Sequence, residues 1–273
     1  MQSFIAGTYI NQGTYKSFEP NLINREWHIN DMALINLLTQ ADRALGKLDM
    51  YSHYIPNINL FIRMHIAKEA NQSSKIEGTQ TNMEEVLMEQ SEVSSEKRND
   101  WQEVQNYIKA INTAIENLAQ LPFSSRLIKK AHKVLLQSVR GEHKLPGEFR
   151  SSQNWIGGPN IATASFVPPA HSSIQVLMAD MEKLVHDDNN QLPHLLKIAL
   201  LHYQFETIHP FLDGNGRIGR LMITLYLVEK GLLSKPILYL SDFLEKNRMH
   251  YYDNLSRVRE KNDLLHWFKF FLT

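Results

Sequence analysis

Apolar residues return at three- and four-residue spacing through most of this chain, the period of an α-helix with one buried face. The pattern predicts helices near 31–47, 59–74, 82–92 and 99–120, after two dozen irregular residues that hold a Pro and scattered Asn. Pro122 followed by Ser124 and Ser125 marks a break and a helix N-cap, and a second series follows near 125–139, 172–187, 192–206 and 216–230. One or two further helices cover roughly 241–271 and end on an apolar tail, Phe270-Phe271-Leu272-Thr273. An end of that kind implies a packed last helix or a longer parent chain. At 154–168 two β-leaning runs flank Gly157-Gly158-Pro159-Asn160 and Pro168-Pro169 closes the stretch, so a short hairpin is expected there. The fold class is all-α, organised as an N-terminal helical region (1–121), a central core (122–232) and a C-terminal helical segment (233–273).

Composition narrows the chemistry. The 273 residues suffice for a sizeable core without metal or disulfide staples, and cysteine is absent, which removes thiolate metal sites and cysteine nucleophiles. Lys plus Arg equals Asp plus Glu at 29 each, so the strongly basic balance of a non-specific nucleic-acid binder is missing. No basic leader with an apolar core and no apolar run of membrane-spanning length is present, which gives the expectation of a cytoplasmic protein with no membrane partner. The histidines show neither H-x-x-x-H nor H-E-x-x-H spacing, so a zinc enzyme is not indicated.

The chemistry concentrates in one stretch. Leu192, Leu195, Leu196, Ala199, Leu200 and Tyr203 share a helix face that should end where Pro210 disfavours helical geometry at His209. Ile218, Leu221, Met222, Leu225 and Val228 share the face of the next helix, which Gly231 closes. Between them Asp213-Gly214-Asn215-Gly216 leaves a helix N-terminus facing a glycine-lined hollow, an arrangement suited to phosphate. Arg217 and Arg220 lie roughly 60° apart on a helical wheel, within reach of one ligand. Asp213 is a hard oxygen ligand for Mg²⁺, and His209, of a type that titrates at about 6.5, suits proton abstraction from a hydroxyl. Gly214, Gly216 and Gly219 also spell G-x-G-x-x-G, but a helix rather than a strand precedes them, which excludes the dinucleotide reading.

The string His209-Pro210-Phe211-Leu212-Asp213-Gly214-Asn215-Gly216-Arg217, continued by Gly219-Arg220, resembles the signature HPFx(D/E)GNGR of the Fic family of protein adenylyltransferases at every fixed position. The resemblance implies a Fic-fold helical bundle that moves AMP from ATP to a Tyr, Thr or Ser hydroxyl of a target protein. It further implies that His209 is the general base, Phe211 anchors the loop, Asp213 binds Mg²⁺, Gly214, Asn215 and Gly216 cradle the α- and β-phosphates, Arg217 grips the phosphates and Arg220 holds the γ-phosphate. Upstream, Ser73-Ser74-Lys75-Ile76-Glu77-Gly78 resembles the family's inhibitory motif (S/T)xxxE(G/N), within a region similar to the N-terminal domain of many bacterial members. By that resemblance Glu77 pairs with Arg220 and takes the space of the γ-phosphate.

The same analogy makes 154–168 the flap that docks a strand of the target, makes Asn247 an adenosine contact, and suggests a homodimer. A winged-helix segment often follows in relatives, which gives the expectation that the chain is cut at 273. Kinase-like Doc proteins carry Lys where Gly216 stands, so that branch is disfavoured. Transfer of UMP or phosphocholine, removal of AMP from a modified protein, and a nucleotide-sensing binding module are the remaining readings.

Overall fold

The structure is a computed structural model that describes residues 4–139 and 141–273. Among them are eleven α-helices: α1 (Met32–Ser52), α2 (Ile58–Ile76), α3 (Met83–Leu87), α4 (Arg98–Leu118), α5 (Ser125–Leu135), α6 (Ile174–His186), α7 (His194–Ile208), α8 (Asn215–Glu229), α9 (Ser241–Lys246), α10 (Arg248–Lys261) and α11 (Leu264–Leu272). The all-α expectation holds. None of these helices is long and apolar enough to cross a membrane, among the described residues.

Two expectations are corrected. The opening residues are not irregular: β1 (Gly7–Asn11) and β2 (Lys16–Pro20) pair antiparallel, with Tyr9 opposite Phe18. Gly13, with φ at 88°, lets the chain reverse while Gln12 N donates to Tyr15 O at 2.9 Å. The hairpin expected at 154–168 is a loop with a single bridge pair, Ile156 and Phe166. Gly157 and Gly158 take positive φ, and the single helical turn Ile161–Thr163 draws the backbone away from pairing beyond that point.

Helix ends differ from the pattern where local hydrogen bonds decide. The third helix ends at Leu87, because only Val86 is buried there and Met88 turns extended, although Asn82 and Glu85 form a capping box at its start. The first continues past Gly46 to Ser52, since that glycine has open space around it and costs only propensity. The tail is three helices, not one or two: Asn247 ends α9, and Asn262, left-handed at φ 55°, ends α10 before Asp263 Oδ1 caps α11 through His266 N.

The described residues group into two compact units, each built from separated stretches of chain. One holds the residues up to Ala41, Phe149–Asn215 and Tyr251–Thr273. Its centre is α7, buried from Leu195 to Ile208 on every side rather than along one stripe. Its polar side chains are therefore paired inside: His202 Nε2 lies 2.8 Å from Tyr251 Oη, and Gln204 Nε2 donates to Asn21 O at 3.0 Å. Trp267 of α11, fully buried, donates to Ala199 O at 2.9 Å, so the apolar tail is a packed helix.

The other unit holds Asp42–Glu148 and Gly216–His250. There α4 packs against α2 and α5, and α2 against α9. Glu229 Oε2 accepts from Phe123 N at 2.6 Å, and Asn106 Nδ2 donates to Leu135 O and Gln137 O, which fastens the ends of α8 and α5.

Asp180 on α6 is buried and accepts from Ile23 N at 2.6 Å and Asn24 N at 3.2 Å. Its replacement by Ala strands a buried N–H, so Asp180→Ala should lower unfolding free energy by about 2 kcal/mol in urea titration, and Asp180→Asn, which keeps an acceptor, by less.

Candidate active site

Two constellations, consecutive in sequence, carry the residues singled out above. The first is the loop between α7 and α8. Helix α7 ends with His209 in the left-handed conformation, φ 50° and ψ 60°, its N–H still donating to Phe205 O. For a non-glycine residue this is uncommon and costs energy that the surroundings must supply. The supply is visible. Buried Arg150 donates through Nε to His209 O at 3.0 Å, through Nη2 to Pro169 O at 2.6 Å and Ile208 O at 3.4 Å, and through Nη1 to Ser152 O at 3.0 Å. Its own backbone N donates to Pro210 O at 2.9 Å. Asn154 Nδ2 adds bonds to His209 O and Phe211 O. Burial holds the Arg150 guanidinium at about 10, below the usual arginine range, and still leaves it charged at neutral pH.

Asn215 closes the loop from the other end. Its Oδ1 accepts from Phe211 N and its Nδ2 donates to Phe211 O, both at 2.9 Å, so its amide is a brace across the turn. Phe211 is fully buried between Phe149 and Phe205, in agreement with an anchoring role. Asp213 is half-buried, with Oδ1 accepting from Gly214 N at 2.6 Å, and Gly214 takes φ 74°. The imidazole of His209 is half-buried. Arg150 and Asn154 were not picked out from sequence; a lone Arg before Ser-Ser gives no signal until the four carbonyls it serves are folded around it.

The second constellation lies on α8 and its neighbours α2 and α4. Arg220, whose side chain is 1% exposed, donates through Nη2 to Glu77 Oε1 at 2.6 Å and to Ser73 O at 2.8 Å, and through Nε to Ser73 Oγ at 2.8 Å. Glu77 is the C-cap of α2 and stays about a third exposed, with Gly78 following at φ 101°. Ser73 and Glu77 are one helical turn apart, so both face Arg220. Gly216 faces this pair: a Cβ on it would sit 2.2 Å from Glu77 Oε1 and would push that carboxylate aside.

Arg217 has a carboxylate on a different helix. It pairs with Glu103 on α4 at 3.0 Å, and both side chains are nearly fully buried. Glu103 carried no motif and was missed in the sequence; mid-helix glutamates are mostly solvated. Glu69, one turn before Ser73, is buried, accepts from Ser241 N at 2.9 Å and from Ser241 Oγ, and burial pushes its carboxyl up despite those bonds and the nearby Arg220. Asn247 caps α9 and donates through Nδ2 to Phe243 O at 2.9 Å.

Metal chemistry has one protein candidate. No group of three or more His, Asp or Glu able to hold a metal occurs among the described residues. A single carboxylate in an Asp-Gly turn fits a Mg²⁺ that arrives on a nucleotide's phosphates, since that ion keeps most of its water and needs only one or two protein oxygens.

Comparison with known proteins bears on both constellations. A family model described as "Fic/DOC family N-terminal" matches residues 35–116, and one described as "Fic/DOC family" matches 122–227. The protein adenylyltransferase Fic of Aedes aegypti is 32% identical over 125 residues, 45% of this chain and 22% of that protein. The protein of the same name from Culex quinquefasciatus is 28% identical over 166 residues, 60% of this chain and 29% of its own length. The matched stretch therefore spans less than a third of these curated relatives. A Fic family protein from Desulfovibrio desulfuricans G20 superposes with a TM-score of 0.71 at 24% identity, over 91% of this chain and 73% of that one. A Fic domain containing signaling protein from Bacteroides thetaiotaomicron does so with 0.62 at 18%, over 88% and 91%. These two likenesses establish the fold.

Arg150→Ala should free the His209 backbone. Amide hydrogen exchange is expected to quicken at residues 209–215 by roughly tenfold or more, because several charge-assisted bonds to carbonyls are lost, and Arg150→Lys should recover little of it.

Proposed function

We propose that this chain, which belongs to the Fic/DOC family, transfers AMP from ATP to a Tyr, Thr or Ser hydroxyl of a target protein, and that Glu77 restrains the reaction. The observation that carries the reading is the loop of residues 209–214: an imidazole fixed at a left-handed helix end, leading directly into a glycine-flanked helix N-terminus. The family relatives named protein adenylyltransferases supply the reaction class.

In this reading the target hydroxyl gives its proton to the His209 imidazole as its oxygen bonds to the α-phosphorus of ATP. The bond from that phosphorus to the oxygen bridging to the β-phosphate breaks, and pyrophosphate leaves. Little covalent chemistry falls to the protein, so acceleration comes from placing the reactants and from balancing charge on phosphate oxygens. The loop's brace supports this role: an imidazole whose backbone is fixed through Arg150 and Asn154 has a defined direction of approach. The N–H groups at the start of α8, with Gly214 and Gly216 offering no Cβ, receive the phosphates. Mg²⁺, held by Asp213 and the phosphates, would neutralise charge on the leaving pyrophosphate.

Restraint by Glu77 follows from competition. The Glu77 carboxylate lies 2.6 Å from Arg220 Nη2, in the place this reading gives to a γ-phosphate oxygen. The loop at 154–168 suits backbone pairing with a target strand, because only Ile156 and Phe166 pair within it and Trp155 and Ile156 are exposed.

With α-labelled ATP and Mg²⁺, Glu77→Gly should raise self-labelling at least about tenfold over the parent, the scale of removing one charge-assisted competitor, while Glu77→Gly/His209→Ala should fall to background. Equal labelling by all three would defeat the proposal. Label carried from the γ position instead would identify phosphorylation.

A further inference from the structure

Both arginines of α8 are buried cations held by a carboxylate, yet the two carboxylates are differently mounted. Glu77 sits at the C-terminal end of α2, a third exposed, with a left-handed glycine after it. Its carboxylate already meets water, so it can leave Arg220 at lower cost than a fully buried one, and Ser73 stays on Arg220 when it does. Glu103 lies in the second turn of the 21-residue helix α4, and its side chain is 7% exposed. Separating that carboxylate from Arg217 breaks an ion pair between two nearly buried charges, which costs far more than breaking an exposed one.

We infer that Glu103 is a permanent positioning residue for Arg217: it stays paired when nucleotide binds and fixes the plane of the guanidinium, whereas Glu77 is the partner that departs. The inference rests on the reading of residues 209–220 as a nucleotide site and adds a residue to it. A guanidinium presents five N–H donors in a rigid fork, so a carboxylate anchored at Nη1 sets the direction of the remaining edge. Glu103 also offsets part of the positive charge, which keeps a fully buried Arg217 tolerable in the nucleotide-free protein. Tyr107, one turn further along α4 and fully buried, keeps its hydroxyl protonated through burial first and Glu69 second, so it does not compete as an anion for either arginine.

Reach and charge can be separated. Glu103→Gln keeps the length and an acceptor oxygen but loses the charge; Glu103→Asp keeps the charge but draws it back by one methylene, roughly 1.5 Å. In the Glu77→Gly background, Glu103→Asp should raise the KM for ATP about tenfold with kcat changed less than threefold, and Glu103→Gln should leave KM within threefold or lower it. A role confined to folding would reduce the active fraction and leave KM unmoved. The inference is overturned if both variants keep the parental KM, or if Asp serves better than Gln. It is also overturned if Glu103→Gln alone, with Glu77 intact, raises self-labelling as Glu77→Gly does, since Glu103 would then be a second brake. Should Glu77→Gly itself fail to label, the nucleotide reading falls first, and calorimetric titration of the Glu103 variants with Mg·ATP then decides whether Arg217 meets phosphate at all.

Discussion

A guanidinium taken out of water must keep an anion beside it, and helix α8 buries two of them within four residues. Much of the surrounding unit follows from that requirement. Helix α4 presents Glu103 to Arg217, and α2 presents Ser73 and Glu77 to Arg220 on one face at helical spacing. The glycine at 216 leaves room for the Glu77 carboxylate in the volume a Cβ would take. The same burial that makes these pairs expensive to break makes the arginines strong anion receptors once a partner is withdrawn, since little water competes for them.

The loop before α8 meets a different constraint, a left-handed residue that is not glycine. Holding His209 there takes a buried arginine spread over four backbone carbonyls and two asparagine amides that bridge the turn. The signature asparagine acts here as a structural brace: both polar atoms of Asn215 are committed to Phe211. Direction for the imidazole thus comes from residues whose own chemistry is inert. That arrangement would suit the proposed transfer, whose difficulty lies in alignment and charge balance.

Membership of the Fic/DOC family rests on two models that together match most of the chain, and the likeness to solved Fic structures extends over about nine-tenths of it. Residues 7–20 form a hairpin whose Phe18 N donates to Val167 O, so the end of the loop at 154–168 is tied to this pair of strands. The Phe18 and Phe166 rings lie 6.2 Å apart, tilted by 52°, and the Arg259 guanidinium lies 4.1 Å over the Phe166 ring. One side of that loop is therefore anchored while Trp155 and Ile156 stay exposed.

Periodicity by itself determined that the protein is helical, and nearly every long helix lies where the apolar repeats put it, because burying one face of a 3.6-residue spiral leaves a mark in any single stretch. The string from His209 to Arg220 was legible for a similar reason: glycines, a proline and charged groups at fixed short spacing constrain one another without help from afar. Tertiary structure alone decided that Arg217 belongs to Glu103, that Arg150 and Asn154 hold the loop, and that the chain pairs strands at 7–20 more fully than at 154–168. Each of those contacts joins residues tens of positions apart or depends on a turn's backbone angles. Side-chain pairing at that separation is chosen by which surfaces meet when helices pack, and a linear pattern carries no record of it.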